Sequence, residues 1–177
     1  MARSYTLKRS MRSRTMRLSI SPDARVIVTA PEYLDLEAIE RFVAQQSAWI
    51  ETHTQRARKR SVIRVRRGDI PSLKKRALAL VEERCAHVAQ MYGLQFRKIS
   101  IRAQKTRWGS CSRSGNLSFN YKIAILPPPV AEYIIVHELC HLAEMNHGKK
   151  FWDLVARTIP EHRAIRKALR NTAVVFS

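Results

Sequence analysis

Apolar and polar positions alternate over residues 16–31, where Leu18 and Ile20 precede the turn residues Ser21, Pro22, Asp23 and Ala24 and are followed by Val26, Ile27 and Val28. Period-two patterning on either side of a turn cluster predicts a β-hairpin. Tyr5 and Leu7 are strand material of the same kind, so the Arg- and Ser-rich start reads as a basic strand rather than a transit peptide. The period then changes. Leu36, Ile39, Phe42, Val43, Trp49 and Ile50 recur at helical spacing behind Asp35, a good N-cap. A second helix is expected from Ser72 through Leu73, Ala77, Leu78, Val81, Cys85, Val88 and Met91, stopped by Gly93; it places Cys85 in the core and His87 on the surface. Phe96, Ile99 and Ile101 suggest a strand, as do Leu117, Phe119 and Tyr121, with the small and polar loop 107–116 joining them. Pro127, Pro128 and Pro129 suit a helix start; that helix runs through Tyr133, Ile134, Val136, Leu139, Cys140 and Leu142 and should stop near residues 146–148. Phe151, Trp152, Leu154, Val155 and Ile159 mark another helix, broken by Pro160 and followed by a basic C-terminal helix bearing Ile165, Ala168 and Leu169.

Strands and helices in this order predict an α+β protein. Gly68 and Pro71 break the pattern after a basic cluster, which divides the chain into an N-terminal hairpin-helix module with its linker, residues 1–70, and a main domain, residues 71–177, or leaves one continuous domain. The cluster itself, Arg56, Arg58, Lys59, Arg60, Arg64, Arg66 and Arg67, reads either as a solvated linker or as a polyanion surface. It has no interleaved aromatics, so base stacking there has no support.

Charge sharpens the question of partners. A net charge of +19 and a pI near 10.9 attract polyanions, DNA being the first to test. No apolar run approaches the length of a membrane-spanning helix, so no membrane partner is expected. Three scattered cysteines, Cys85, Cys111 and Cys140, form no C-x-x-C pair, which argues against a secreted disulfide scaffold and for a cytoplasmic protein.

The chemistry lies in His137-Glu138-Leu139-Cys140-His141. Residues four apart share a helix face, so both imidazoles can bind one ion, and the glutamate after the first histidine can act as general base. Hydrolytic zinc sites take three protein ligands and keep one position for water. The third ligand is His147, next to a Gly148 that would let the backbone turn sharply, or Glu161 in a later helix, with Cys111 a weaker option. Glu144 is expected in solvent or hydrogen-bonded to a ligand histidine, and Cys140 in the core.

Trp108-Gly109-Ser110-Cys111-Ser112, Gly115, Leu117, Phe119, Asn120, the His137 to Leu142 motif, Asn146-His147-Gly148 and Phe151-Trp152 together resemble the YgjP-like metallopeptidases, relatives of the SprT-like proteases, over nearly the whole chain. The resemblance implies a zincin-like fold, a small sheet packed beside an active-site helix, with one Zn2+ per chain on His137, His141 and His147 and Glu138 as catalytic base. Two departures stand out: Gly148 where the family often has Ser, and His162 where a Tyr commonly follows the proline. His162 becomes a candidate oxyanion donor in place of that Tyr, beside Asn120 and Tyr121. Trp108, Asn120 and Tyr121 are candidate substrate-binding residues: Trp108 fills core space or borders the cleft, and residues 117–121 could form an edge strand to which an extended substrate adds. The expected activity is peptide hydrolysis, with action on proteins bound near nucleic acid as the extension that the SprT relationship suggests. Its rivals are a metal-dependent nucleotide phosphohydrolase and a nucleic-acid-binding protein with a structural metal, which would not need Glu138.

Overall fold

In the computed structural model, residues 4–104 and 106–176 are described. The chain divides into two compact units: residues up to Arg64 together with Asn171–Val175, and Val65–Arg170 with Phe176.

In the first unit, β1 (Thr6–Ser10), β2 (Arg17–Ile20) and β3 (Val26–Pro31) form a sheet of order β1-β3-β2. β2 and β3 are the predicted hairpin, in antiparallel register Leu18 to Val28, and β1 adds parallel to β3, Leu7 beside Val28. The single long helix expected after Asp35 is two: α1 (Leu36–Gln45) and α2 (Ser47–Arg58), hinged at Gln46, which leaves helical geometry at ψ 14. Asp35 caps α1 as expected, its Oδ1 accepting from the Ala38 N–H at 2.6 Å. Val26, Val28 and Ala30 pack with Ile39, Val43 and Ile50 to make this unit's core. Trp49 is not among them; it stays over a third exposed and stacks on His53, ring centroids 4.0 Å apart. The basic cluster is not a featureless linker, since it contains the end of α2 and a strand, β4 (Ser61–Val65).

The second unit begins with a 3-10 turn, Arg67–Asp69, leading into α3 (Ile70–Tyr92). Ser72 lies inside this helix rather than capping it, and Gly93 ends it in the left-handed conformation, φ 65, which glycine adopts without steric cost. β5 (Lys98–Arg102), β6 (Gly109–Cys111) and β7 (Asn116–Asn120) form a sheet of order β5-β7-β6, β5 parallel and β6 antiparallel to β7. After a 3-10 turn, Tyr121–Ile125, come α4 (Pro128–Cys140), α5 (Lys149–Thr158) and α6 (His162–Arg170). The last strand, β8 (Thr172–Phe176), whose residues up to Val175 belong to the first unit, pairs with β4. The central element of the second unit is α4, whose Val130, Ala131, Ile134, Ile135, Val136, Leu139 and Cys140 are all buried, as a helix apolar on all sides must be. It packs against α3, α5, α6 and β6. Among the described residues no helix is long and apolar enough to cross a membrane.

Candidate metal centre and catalytic cleft

Proline occupies the first turn of α4, where its missing N–H costs nothing. The helix ends earlier than expected, at Cys140, but His141 keeps right-handed helical geometry (φ −67, ψ −16), so His137 and His141 still share a face. His147 returns to that face across the following turn. Gly148 is not what allows it: its φ of −77 suits any residue and open space surrounds its Cα, so the Ser common at this position would fit as well. The Trp152 Nε1–H donates to the His147 carbonyl at 3.1 Å and holds the returning backbone.

The His137 and His147 Nε2 atoms face each other at 3.1 Å, and one nitrogen from each of His137, His141 and His147 lies within 4.8 Å of the others. Fully buried Phe151 supports all three rings, with centroids 4.9, 4.5 and 4.7 Å from His137, His141 and His147. His141 Nδ1 lies 3.0 Å from the Glu144 backbone carbonyl and must donate to it, which leaves its Nε2 lone pair free for a metal. The backbone of Glu144, not its side chain, is thus the partner of this histidine. Burial and the neighbouring His141, His147 and Arg166 push His137 down to about 3, and burial followed by His141 and Arg166 lowers His147; both are neutral near pH 7, the form that binds metal. Nitrogens bound tetrahedrally to zinc at about 2.0–2.1 Å stand about 3.3 Å apart, so the facing pair fits such an ion closely.

Glu138 is 7% exposed, and burial pushes its carboxyl up to about 8 against the opposing pull of Arg107. Its side chain lies against Gly109 of β6: a Cβ there would stand 2.6, 2.7 and 2.8 Å from Glu138 Cγ, Oε1 and Cδ. Any side chain at 109 would displace the carboxylate. Nearby thiols are no rival chemistry, since burial raises Cys140 to about 12, and burial with the Glu138 charge raises Cys111 to about 11.

A cleft of roughly 360 Å³ opens over His137, Glu138 and His147. Trp108 borders it. Asn120 does not: it is buried, its Nδ2 donates to the Gln104 and Arg107 carbonyls at 2.7 and 3.0 Å, and its Oδ1 accepts from the Lys122 N–H. Its amide is occupied in fixing the loop between β5 and β6. Tyr121 is buried with its ring 6.3 Å from that of Phe176, outside the cleft lining. His162 is buried under Trp152, stacked at 5.4 Å, with Nδ1 3.2 Å from the Ile159 carbonyl; in the neutral ring this leaves Nε2 as an acceptor. Glu161 is exposed, and neither it nor Cys111 belongs to the histidine group. Residues 117–121 do not supply a sheet edge, because β7 is paired on both sides; the edge against α4 is β6. Sequence reasoning missed Tyr133, Arg107, Arg166 and Arg170 in the cleft wall. Only the i, i+4 spacing of Arg166 and Arg170 hinted at a shared face.

A larger cavity, roughly 640 Å³, lies beside the bidentate Arg84–Glu132 ion pair (2.8 and 2.7 Å) and is mostly apolar. It has no histidine and no thiol, so the chemistry belongs to the smaller cleft.

Three clustered imidazoles beside a buried carboxylate, on a helix flanked by a small sheet, define a metal-dependent hydrolase of zincin-like α+β fold. The YgjP-like metallopeptidase domain matches residues 14–71 and 70–172, and the chain belongs to this family of metal-dependent peptidases. Among solved structures, the metallopeptidase zymogen of Pyrococcus abyssi abylysin is similar at 27% identity, covering 52% of this chain and 99% of its own, with a TM-score of 0.44. That of Methanocaldococcus jannaschii jannalysin is 22% identical, covering 51% and 93%, with a TM-score of 0.46. No curated protein matches the chain.

Proposed function

We propose that the chain is a zinc peptidase in which His137, His141 and His147 hold one ion and Glu138 is the general base. The observation that carries this reading is the convergence of three imidazole nitrogens within 4.8 Å, together with a buried carboxylate for which Gly109 leaves room. Zinc, when bound, supplies a Lewis acid that acidifies water and polarises a carbonyl. Glu138 accepts a proton from the attacking water and returns it to the leaving amine. A structural site has no use for such a carboxylate, and three protein ligands leave room for a reactant. An extended substrate running along β6 would pass directly over Glu138, since Gly109 belongs to that edge strand. Tyr133, buried against His137 and lining the cleft, takes over the role of candidate oxyanion donor from His162.

These residues all fall in 71–177, which we assign as the catalytic domain, with residues 1–70 as an accessory basic module. The charge of +19 supports attraction to DNA or another polyanion, and three unpaired cysteines suit a reducing cytoplasm. Binding to DNA should weaken steeply with salt and show little sequence preference, because phosphate contacts dominate such an interface.

The decisive experiment replaces Glu138 with Gln. Zinc content and melting temperature should be retained while peptide turnover falls by about 10²–10⁴-fold. Wild-type turnover in a zinc-loaded Glu138→Gln protein would refute the assignment. In parallel, His147→Ala should lose stoichiometric zinc and Glu161→Ala should keep it; the reverse result would make Glu161 the third ligand.

A further inference from the structure

We propose that the cleft selects peptides carrying a carboxylate beside the scissile bond, bound by Arg107, Arg166 and Arg170; this rests on the peptidase reading above. The three arginines come from two elements that flank α4: Arg107 from the loop before β6, and Arg166 with Arg170 one turn apart on α6. All three line the same cleft and are exposed. None forms an ion pair among the described residues, whereas Arg25, Arg41, Arg84 and Lys149 each find a carboxylate. The one acid in the cleft lining is Glu138, which is buried and engaged in the chemistry.

One of these cations is held over an aromatic ring, and the backbone that carries a second is fixed. The Arg166 guanidinium sits 5.1 Å over the Trp152 ring, which is itself stacked against His162. A cation held over an aromatic face keeps its N–H edge available for a planar, bidentate partner. The backbone of Arg107 is fixed by the Asn120 amide. Arg166 lines the same cleft as Tyr133, His137 and His147.

Three like charges lining one cleft beside a centre built to hold a cation repel each other and the ion, and an anion entering with the substrate relieves that repulsion. A peptide carboxylate meets that need: guanidinium–carboxylate hydrogen bonds are charge-assisted, and low-dielectric cleft walls strengthen them. The carboxylate belongs either to an Asp or Glu side chain or to the peptide's own C-terminus.

The test uses zinc-loaded Glu138→Gln protein and three fluorescein-labelled decapeptides of one sequence: Glu at the central position with an amidated end, Gln with an amidated end, and Gln with a free end. The Glu peptide, or the free-ended one, should bind about 10- to 100-fold more tightly than the amidated Gln peptide. Which of the two does so identifies the source of the carboxylate. Arg166→Gln with Arg170→Gln should erase the discrimination, while removing the same charge from α3 with Lys74→Gln and Lys75→Gln should leave it intact. Equal affinities for the three peptides, or equal losses in the two double variants, would overturn the proposal. Cleavage of the same peptides by the wild type separates the two claims. If none is cut, the peptidase reading fails and the binding comparison still decides the carboxylate site. If all are cut with equal kcat/KM, the specificity fails alone.

Discussion

The two three-stranded sheets are built to the same plan and used differently. In each, the first strand runs parallel and the second antiparallel to a central third strand. Their hairpins agree down to single hydrogen bonds. The Ser21 N–H donates to the Arg25 carbonyl and the Ala24 N–H to the Ser21 carbonyl; Ser112, Asn116 and Gly115 repeat the pattern. In both turns the serine Oγ accepts from the N–H four residues on, at 2.9 and 3.0 Å. With the hairpins aligned, Leu18 in β2 corresponds to Gly109 in β6, since each faces the same register position, Val28 or Phe119. Leu18 packs on an apolar core. Gly109 instead makes room for Glu138. One topology thus serves either packing or catalysis, according to whether an edge position carries a side chain.

The sharpest way to break this comparison is Gly109→Ala. The added methyl overlaps Glu138, so turnover should fall by about 10²–10⁴-fold, as for loss of the base, while zinc content stays normal. Leu18→Ala, at the corresponding place, should cost about 1–2 kcal/mol of stability, less than a fully buried leucine, and leave kcat unchanged. Paired denaturation and turnover measurements decide between a catalytic and a merely structural edge.

A second contrast compares Asn120 with Thr29, which the hairpin alignment makes equivalent. Asn120→Ala strands the buried ends of two carbonyl hydrogen bonds and frees the Arg107 loop. We expect a loss of about 1–3 kcal/mol, read from urea midpoints, with reduced kcat/KM; Thr29→Ala should do neither.

The turns give a smaller, signed test. Ala24 and Gly115 hold the same left-handed position, at φ 65 and 76. Gly115→Ala should destabilise by about 1–2 kcal/mol through backbone strain alone, because its Cβ would find ordinary contacts no closer than 3.6 Å. Ala24→Gly should stabilise by up to about 1 kcal/mol. Shifts of the same sign would show that the two hairpins are not equivalent.

The smallest effect is in protons. In the metal-free protein the Glu138 carboxyl is raised from its ordinary range to about 8, so the folded state binds more protons than the unfolded chain between about 4.5 and 8. Its contribution to apo stability is full below that window and is lost as pH rises through it. A bound divalent cation favours the carboxylate, so zinc uptake at pH 7 should release about one proton, and Glu138→Gln should abolish this release. His137, held down to about 3, adds none, and His147, lowered by burial and its neighbours, is mainly neutral already. Calorimetric titration in buffers of different ionisation enthalpy measures the number directly.

Much of this was written along the chain. Periodicity predicts the hairpin of β2 and β3, α3 with its Gly93 stop, and the proline-led α4, because short-range hydrogen bonding and one-sided burial set those elements. Four-residue spacing brings His137 and His141 together by helix geometry alone. Other features depend on partners distant in sequence. β4 and β8 are strands because they pair with each other across more than a hundred residues. β7 lies inside its sheet rather than at the edge because β5 reaches its far side. Asn120, a natural substrate ligand by type, is occupied by carbonyls 13 and 16 residues away. The convergence of Arg107, Arg166 and Arg170, and the empty Cβ position at Gly109, arise where separate elements meet around α4. The local pattern therefore determined the metal-binding motif and most elements, while tertiary packing decided which strand borders the cleft and which side chains surround it, because those outcomes are set by long-range contacts that no sequence period encodes.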